Sequence, residues 1–123
     1  MKVCSTVKQF IEEYSVWCSF FRDITFEDES MYKELFDYCM DNQSDPLCIL
    51  IIGNLYKFGK GIELDLVVSF DWFKKAAELG EVRAINNLGV GYQNGIGCEK
   101  DLEKAFHYYY QAAILDNYCS MNK

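Results

Sequence analysis

The sequence contains one pattern of 36 residues that is written twice, without a gap, between residues 45 and 116. Of these 36 positions, 12 are identical in the two copies. A period of about 20 to 50 residues is typical of a solenoid, in which each unit buries its apolar side against its neighbours. Residues 45–80 and 81–116 are therefore predicted to be two structural repeats. The identical pairs are Ile49/Ile85, Gly53/Gly89, Tyr56/Tyr92, Gly59/Gly95, Gly61/Gly97, Glu63/Glu99, Asp65/Asp101, Leu66/Leu102, Phe70/Phe106, Ala76/Ala112, Ala77/Ala113 and Leu79/Leu115.

Each copy is predicted to fold as a helix, a glycine loop and a second helix. Asp45 is a good N-cap and Pro46 suits the first position of the first helix. Gly59 and Gly61 then interrupt the apolar pattern, and their recurrence in fixed register indicates positive φ or a close backbone approach. Asp65 stands at the N-cap of the second helix, whose apolar residues follow at three- and four-residue spacing. The predicted fold class is all-α, with antiparallel helix pairs.

The second copy resembles the Sel-one-like repeat (SLR) family, a relative of the tetratricopeptide repeat. That family has a Leu-Gly helix, a Tyr-x-x-Gly-x-Gly loop and a Lys-Ala-Ala segment. Close matches occur at Leu88-Gly89, at residues 92–97 and at Ala112-Ala113. The resemblance implies an α/α solenoid with a right-handed superhelical twist and a scaffold that binds other proteins. This chain departs from the family pattern at Cys48, Ile52, Ser69 and Asp116, where the family has Ala, Leu, Ala and Gly.

Residues 1–44 are predicted to form a helical pair that acts as a degenerate or capping repeat, since terminal solenoid units are often atypical. The apolar spacing predicts one helix over residues 5–22, capped by Ser5 or Thr6, and another over about 26–42, capped by Thr25. A step of 36 residues places Phe36 opposite Trp72, but the loop glycines have no counterpart. Residues 117–123 are predicted to be a short C-terminal tail.

Composition excludes several classes of partner. The 123 residues carry 19 acidic and 12 basic side chains, a net charge of −7. Nucleic acids and anionic membrane surfaces need a basic face, so neither is an expected partner. A basic peptide or protein fits better, although the charge could serve only solubility. No secretory or membrane-spanning apolar run occurs, which predicts a cytoplasmic protein with reduced thiols.

No catalytic, cofactor-binding or metal-binding residues are predicted. The six cysteines form no Cys-x-x-Cys, and His107, on a solvent-facing position, is the single histidine. The Gly-x-Gly pairs lack the third glycine and the preceding strand of a dinucleotide loop. Ser5 and Lys8 fit Ser-x-x-Lys, but the other motifs of penicillin-binding enzymes are missing. The resemblance nevertheless leaves one alternative, a hydrolase like those of the cysteine-rich SLR relatives.

The predicted function is that of a protein-interaction module or adaptor, which binds a peptide or protein through the concave face that the resemblance assigns to the first helices. A scaffold should keep its core constant and vary its surface, so positions that differ between the copies are the candidates. An alternative site is the exposed aromatic end near Tyr110, where a homodimer could form. The candidate partner-binding residues are Leu50, Asn54, Lys57, Arg83, Asn86, Val90, Gln93 and Asn94.

Overall fold

The computed structural model describes residues 2–16 and 24–121 of the chain, with side chains over 3–14 and 25–115. This part of the chain holds six helices and one small parallel sheet, so the predicted all-α repeat fold is confirmed. In chain order the elements are β1 (Lys2–Cys4), α1 (Val7–Val16), β2 (Ile24–Phe26), α2 (Met31–Asp41), α3 (Pro46–Phe58), α4 (Leu66–Glu78), α5 (Val82–Asn94) and α6 (Leu102–Met121).

The helix boundaries repeat with the sequence. α3 and α5 begin at residues 46 and 82, and α4 and α6 begin at 66 and 102, so both steps equal the sequence period. Acidic caps follow the same period. Asp45 accepts a hydrogen bond from Leu47 N and Glu81 from Arg83 N at the first helices. Asp65 accepts from Val67 N and Val68 N, and Asp101 from Lys104 N, at the second helices. Capping side chains satisfy amides that have no intrahelical partner, which explains why each helix begins where it does.

The glycine loops have the same backbone conformation in both repeats. Gly59 and Gly95 end α3 and α5 with φ of 65° and 68°, and Gly61 and Gly97 both have φ of 76°. The predicted positive φ is confirmed. Equivalent hydrogen bonds then close both loops, from Asp65 N to the Tyr56 carbonyl and from Asp101 N to the Tyr92 carbonyl. The loops therefore fix the angle between the two helices of each repeat.

Within each repeat, a glycine in the first helix packs against an aromatic ring of the second helix. A Cβ on Gly53 would lie 2.7 Å from Phe73 Cδ1, and a Cβ on Gly89 would lie 3.0 Å from Tyr109 Cδ1. Only a glycine at these positions leaves room for the ring.

Adjacent repeats meet through a different set of contacts. The ring of Phe70 in α4 packs edge-on against Tyr92 in α5, with 5.1 Å between centroids. Gly97, in the loop after α5, lies directly on the Leu66 carbonyl at the start of α4. A second helix is thus covered by the first helix and the glycine loop of the following repeat.

α2 takes the place of a second helix in front of the first repeat. Phe36 packs edge-on against Tyr56 at 5.9 Å, and Gly61 lies against the backbone of Tyr32 and Lys33. These contacts match those of Phe70 and Leu66, which lie 34 residues further along the chain, not 36. Phe36 therefore corresponds to Phe70, and its alignment with Trp72 is wrong because α2 is shifted by two residues.

The segment before α2 differs from the predicted helix over 26–42. Residues 24–26 form β2, which pairs in parallel with β1 in the register Lys2↔Ile24, and α2 begins only at Met31. Phe26 explains the difference, because its ring stacks on Phe10 at 4.9 Å and meets Tyr32 edge-on at 5.1 Å. This burial holds Phe26 in extended backbone. Of the helix predicted over 5–22, the part from 17 to 22 lies outside the described residues.

Candidate partner-binding face

The eight predicted partner-binding residues lie along α3 and α5, and we call the surface that carries them the first-helix face. Its two halves differ. The α3 half is covered by α1, whereas the α5 half is largely open to solvent. Leu50 and Asn54 are buried, Lys57, Arg83 and Val90 are half-buried, and Asn86, Gln93 and Asn94 are exposed.

Tyr14 of α1 covers the α3 half. The Asn54 Nδ2 donates hydrogen bonds to the Tyr14 hydroxyl at 3.0 Å and to the Leu50 carbonyl at 3.2 Å. Both donor hydrogens of this amide are therefore used inside the protein. The predicted surface exposure of Leu50 and Asn54 is wrong, because both are buried and the Asn54 amide is bonded to Tyr14 of α1.

Arg83 holds the end of the same helix. Its Nη1 donates to the Tyr14 carbonyl at 2.9 Å, and its guanidinium carbon lies 4.3 Å from the centre of the Tyr14 ring. Its Nε also pairs with the Glu81 carboxylate at 3.2 Å. A cation at the carbonyl end of a helix is favourable because that end carries partial negative charge. Arg83 is thus already engaged with α1 and Glu81.

The Tyr14 phenol is the most perturbed group at this contact. Burial raises its pKa to about 12, since the ionised form is poorly solvated there, while the nearby Arg83 acts in the opposite direction. The phenol is therefore neutral at physiological pH and serves as a hydrogen-bonding group. The apolar spacing of α1 includes Tyr14 but does not predict its contacts with Asn54 and Arg83.

The open half of the face carries three amide side chains. Within the described residues, the Asn86 amide has no hydrogen-bond partner. The Gln93 Oε1 accepts from the Tyr109 hydroxyl at 2.7 Å, and the Asn94 Nδ2 donates to the Val90 carbonyl at 3.2 Å. Gln93 and Asn94 each keep further hydrogen-bonding capacity toward solvent. The α5 half therefore presents polar groups around a half-buried valine.

Lys57 lies at the border between the two halves. Its Nζ is 5.4 Å from the centre of the Phe58 ring. Lys57 and Val90 also line a cavity of about 20 Å³ between the two repeats, together with Ser69 and Asn87. A cavity of this size has room for about one water molecule. The structure thus brings Lys57 beside Val90, away from Arg83.

A second exposed surface runs along α6. Four apolar side chains follow one another at four-residue steps on the helix, and we call them the α6 row. Of the three consecutive tyrosines, Tyr110 is exposed while Tyr108 and Tyr109 are half-buried, which confirms that at least one faces solvent. Sequence analysis did not single out Phe106, although its equivalence to Phe70 was a usable signal. The α6 row consists of Leu102, Phe106, Tyr110 and Ile114.

Ser5 and Thr6, in the Ser-x-x-Lys segment, take part in capping α1. Thr6 Oγ1 accepts a hydrogen bond from Gln9 N, and the side-chain Oε1 of Gln9 accepts one from Ser5 N. His107 is exposed, as predicted. Over residues 2–16 and 24–121, no three His, Cys, Asp or Glu side chains are grouped to hold a metal ion. In the same part of the chain, every helix is too short or too polar to cross a lipid bilayer.

Two cysteines meet between α2 and α3. The Cys39 and Cys48 thiols are both free, and the hydrogen bond between them, together with burial, raises the pKa of Cys39. The Asp45 carboxylate, which caps α3, lies 3.9 Å from the Cys48 sulfur. Cys98 is likewise a free thiol. Cys39 and Cys48 act here as small core residues.

Comparison with known proteins agrees with this architecture. The family model described as "Sel1 repeat" matches residues 47–81 and 82–117, which together exceed half of the chain. Among solved structures, the Sel1 repeat protein from Oxalobacter formigenes superposes with a TM-score of 0.68 at 30% identity, over 88% of this chain and 40% of that protein. Cysteine rich protein B of Helicobacter pylori superposes with a TM-score of 0.65 at 17% identity, over 94% of this chain and 90% of that one, and supports the fold alone.

Curated relatives match a similar region. The ERAD-associated E3 ubiquitin-protein ligase component HRD3B of Arabidopsis thaliana is 34% identical over 74 residues, which are 60% of this chain. The chitin synthase regulator SKT5 of Saccharomyces cerevisiae is 30% identical over 83 residues, 66% of this chain. In both comparisons this chain spans 12% of the relative's length. The repeat spacing, the glycine loops and the matched family model together show that this chain belongs to the Sel1 repeat family.

Proposed function

We propose that the protein is an adaptor that binds an extended peptide segment of a partner protein on the α5 half of the first-helix face. The observation that carries the proposal is the exposure of Asn86, Gln93 and Asn94 on one side of a single helix. Each amide offers both donors and an acceptor, which suits the alternating N–H and C=O groups of a peptide backbone. Val90 supplies an apolar contact between them.

The relatives support a role in interaction. One is named as a component of a ubiquitin-protein ligase and another as a regulator of chitin synthase. Both names describe proteins that act with others, and this chain matches 12% of each. We extend this role to the present chain as a binding module without catalysis. The net charge of −7 favours a segment with basic side chains.

The rest of the molecule supports the face. We propose that residues 1–44 act as the N-terminal cap, since α2 packs on α3 as a second helix would and α1 covers Leu50 and Asn54. Capping units shield the apolar end of a solenoid from solvent. Free thiols at Cys39 and Cys48 favour a reducing location such as the cytoplasm.

The test is binding to a partner recovered from cell extract on the immobilised protein, compared among variants. Asn86→Ala combined with Gln93→Ala should weaken binding at least tenfold without lowering the melting temperature by more than a few degrees. Val67→Ala, which changes an exposed side chain outside both this face and the α6 row, is the matched control and should keep full affinity. Unchanged affinity in the double variant, with loss in Tyr110→Ala, would place the binding site on α6.

A further inference from the structure

Two helices of this chain, α2 and α4, each have their outer side covered by the first helix and glycine loop that follow them. α2 is covered by α3 and the loop that follows it, through the Phe36–Tyr56 ring pair and Gly61. α4 is covered by α5 and its loop, through the Phe70–Tyr92 ring pair and Gly97. One kind of element, a first helix with its glycine loop, therefore covers both.

The cover on α4 has specific chemical requirements. A Cβ on Gly91 of α5 would lie 2.8 Å from the Phe70 ring, so the covering helix needs a very small residue at this position. Tyr92 supplies the ring that packs edge-on against Phe70. Gly97 must also lack a side chain, because it lies on the Leu66 carbonyl. Under this cover Phe70 is 4% exposed.

α6 carries the same residues and no cover within the described chain. Leu102 and Phe106 occupy the positions of Leu66 and Phe70 but are more exposed. Phe106 is 72% exposed and Phe70 is 4% exposed, while Leu102 is 61% exposed and Leu66 is 38% exposed. Tyr110 and Ile114 extend the exposed row, and the Phe106 and Tyr110 rings stack at 6.3 Å. Apolar side chains in such a continuous row mark an interaction surface.

We propose that the α6 row binds the first helix and glycine loop of a Sel1-like repeat presented by a different protein. In this complex a tyrosine of the partner packs edge-on against Phe106. A small residue beside that tyrosine makes room for the Phe106 ring. The second glycine of the partner's loop approaches the Leu102 carbonyl, as Gly97 approaches that of Leu66.

A second copy of this chain does not meet these requirements. Its two first helices are α3 and α5, and their matching sides already cover α2 and α4. A copy could offer either side only by breaking its own stacking. The occupant that we propose is a protein whose first helix and loop are not covered by a preceding helix. This surface is separate from the first-helix face, so the two proposals can fail independently.

The experiment uses the full chain and a synthetic peptide of residues 81–98, which contains α5 and its loop, with Cys98→Ser to prevent oxidation. Binding is followed by nuclear magnetic resonance of the ¹⁵N-labelled chain. We expect saturable shifts of α6 amides between residues 102 and 114. The Phe106→Ala chain should bind at least tenfold more weakly. A peptide with Gly91→Leu and Gly97→Leu should not bind, because its added side chains meet the ring and the carbonyl.

One chain variant serves as a control. Val67→Ala changes an exposed apolar residue of α4 and should bind the peptide like the original chain. Absence of α6 shifts at millimolar peptide would overturn the proposal, as would shifts that Phe106→Ala leaves unchanged. Sedimentation velocity gives a further check. A dimer of the original chain that Phe106→Ala dissociates would identify a second copy as the occupant and overturn the proposal too.

Discussion

At the scale of single residues, glycine sets how closely the backbones of this protein approach each other. Gly95 and Gly97 lie two residues apart in one loop and have nearly the same φ, 68° and 76°. Their surroundings differ. A Cβ on Gly95 would find its nearest neighbour, Lys100 Cβ, at 3.6 Å, an ordinary contact, whereas on Gly97 it would collide with the Leu66 carbonyl. Substitutions at these two glycines therefore distinguish the cost of backbone strain from the cost of steric overlap.

We expect Gly95→Ala to lower the free energy of unfolding by about 1 kcal/mol, the cost of placing a side chain at positive φ. Gly97→Ala should cost about 3 kcal/mol, because the overlap with backbone adds to that strain. Urea denaturation followed by circular dichroism measures both values. Equal losses in the two variants would mean that the loop moves away from α4 at little cost.

Tyr14 makes stability depend on pH in the alkaline range. Its pKa rises from 10.0 to about 12 on folding, so the folded state holds the phenol proton more tightly than the unfolded state. The stability that the Tyr14 phenol contributes is fully present below pH 10 and is lost as the pH rises toward 12. Urea denaturation at increasing pH should show that the free energy of unfolding of the original chain declines over this range. In Tyr14→Phe this decline should be smaller by about 2 kcal/mol. Tyr110→Phe, which removes an exposed phenol, should decline like the original chain.

At the scale of elements, α1 is held on the repeats by a few polar contacts. The Arg83 guanidinium bonds to the Tyr14 carbonyl, and the Asn54 amide bonds to the Tyr14 hydroxyl. A hydrogen bond from a charged group contributes about 1.5 to 3 kcal/mol, and about 1.4 kcal/mol changes an opening equilibrium tenfold. The attachment of α1 should therefore be sensitive to one side chain of α5.

Arg83→Met keeps most of the side-chain length and removes the charge. We expect the amides of residues 10–16 to exchange hydrogen about ten times faster in this variant, while those of α3 exchange as before. Hydrogen exchange measured by mass spectrometry or magnetic resonance checks this. Lys74→Met, which breaks an exposed ion pair with Asp71 at 3.8 Å, is the control and should leave α1 unchanged. Unaltered exchange in Arg83→Met would show that apolar packing alone holds α1.

The elements also show which parts of the fold the sequence could predict. The 36-residue repeat locates α3 to α6, because the repeated glycine loop and the repeated aspartate at the start of the second helices are local signals. Three-residue strands have no usable periodicity, so β1 and β2 were missed. The late start of α2 depends on Phe26 packing against Phe10, a contact between distant parts of the chain.

The candidate face was only partly predictable for the same reason. Asn86, Gln93 and Asn94 are exposed as expected, because nothing from a distant segment covers them in the described chain. Leu50 and Asn54 were misassigned, since the hydrogen bond that buries Asn54 joins residues 40 positions apart. A comparison of two repeats identifies positions that vary. It does not distinguish a position that varies because it binds a partner from one that varies because it contacts a terminal helix.

At the scale of the whole molecule, stability follows the contacts between neighbouring units. In a solenoid each unit touches only those beside it, so equivalent residues differ in importance according to whether a neighbour covers them. Phe70 and Phe106 are such a pair, one inside the stack and one on its C-terminal side. They have the same residue type, helix position and repeat register.

We expect Phe70→Ala to lower the free energy of unfolding by about 3 to 5 kcal/mol, since it removes a buried ring. Phe106→Ala should change it by less than about 0.5 kcal/mol, as is usual for exposed positions. Urea denaturation of both variants beside the original chain provides the comparison. A large loss in Phe106→Ala would contradict the exposure of Phe106 seen within the described residues.

α1 also closes one end of the first-helix face, where Tyr14 contacts Arg83 near the start of α5. A partner peptide that lies along α5 from Asn94 toward Arg83 would reach Tyr14 and would not continue onto α3. The 13 residues of α5 span about 20 Å, a length that about six extended residues fill. A site of this length would favour a chain terminus or the apex of a sharp bend over a long segment that passes straight through. Recognition would then depend on where a motif lies in the partner chain as much as on its sequence.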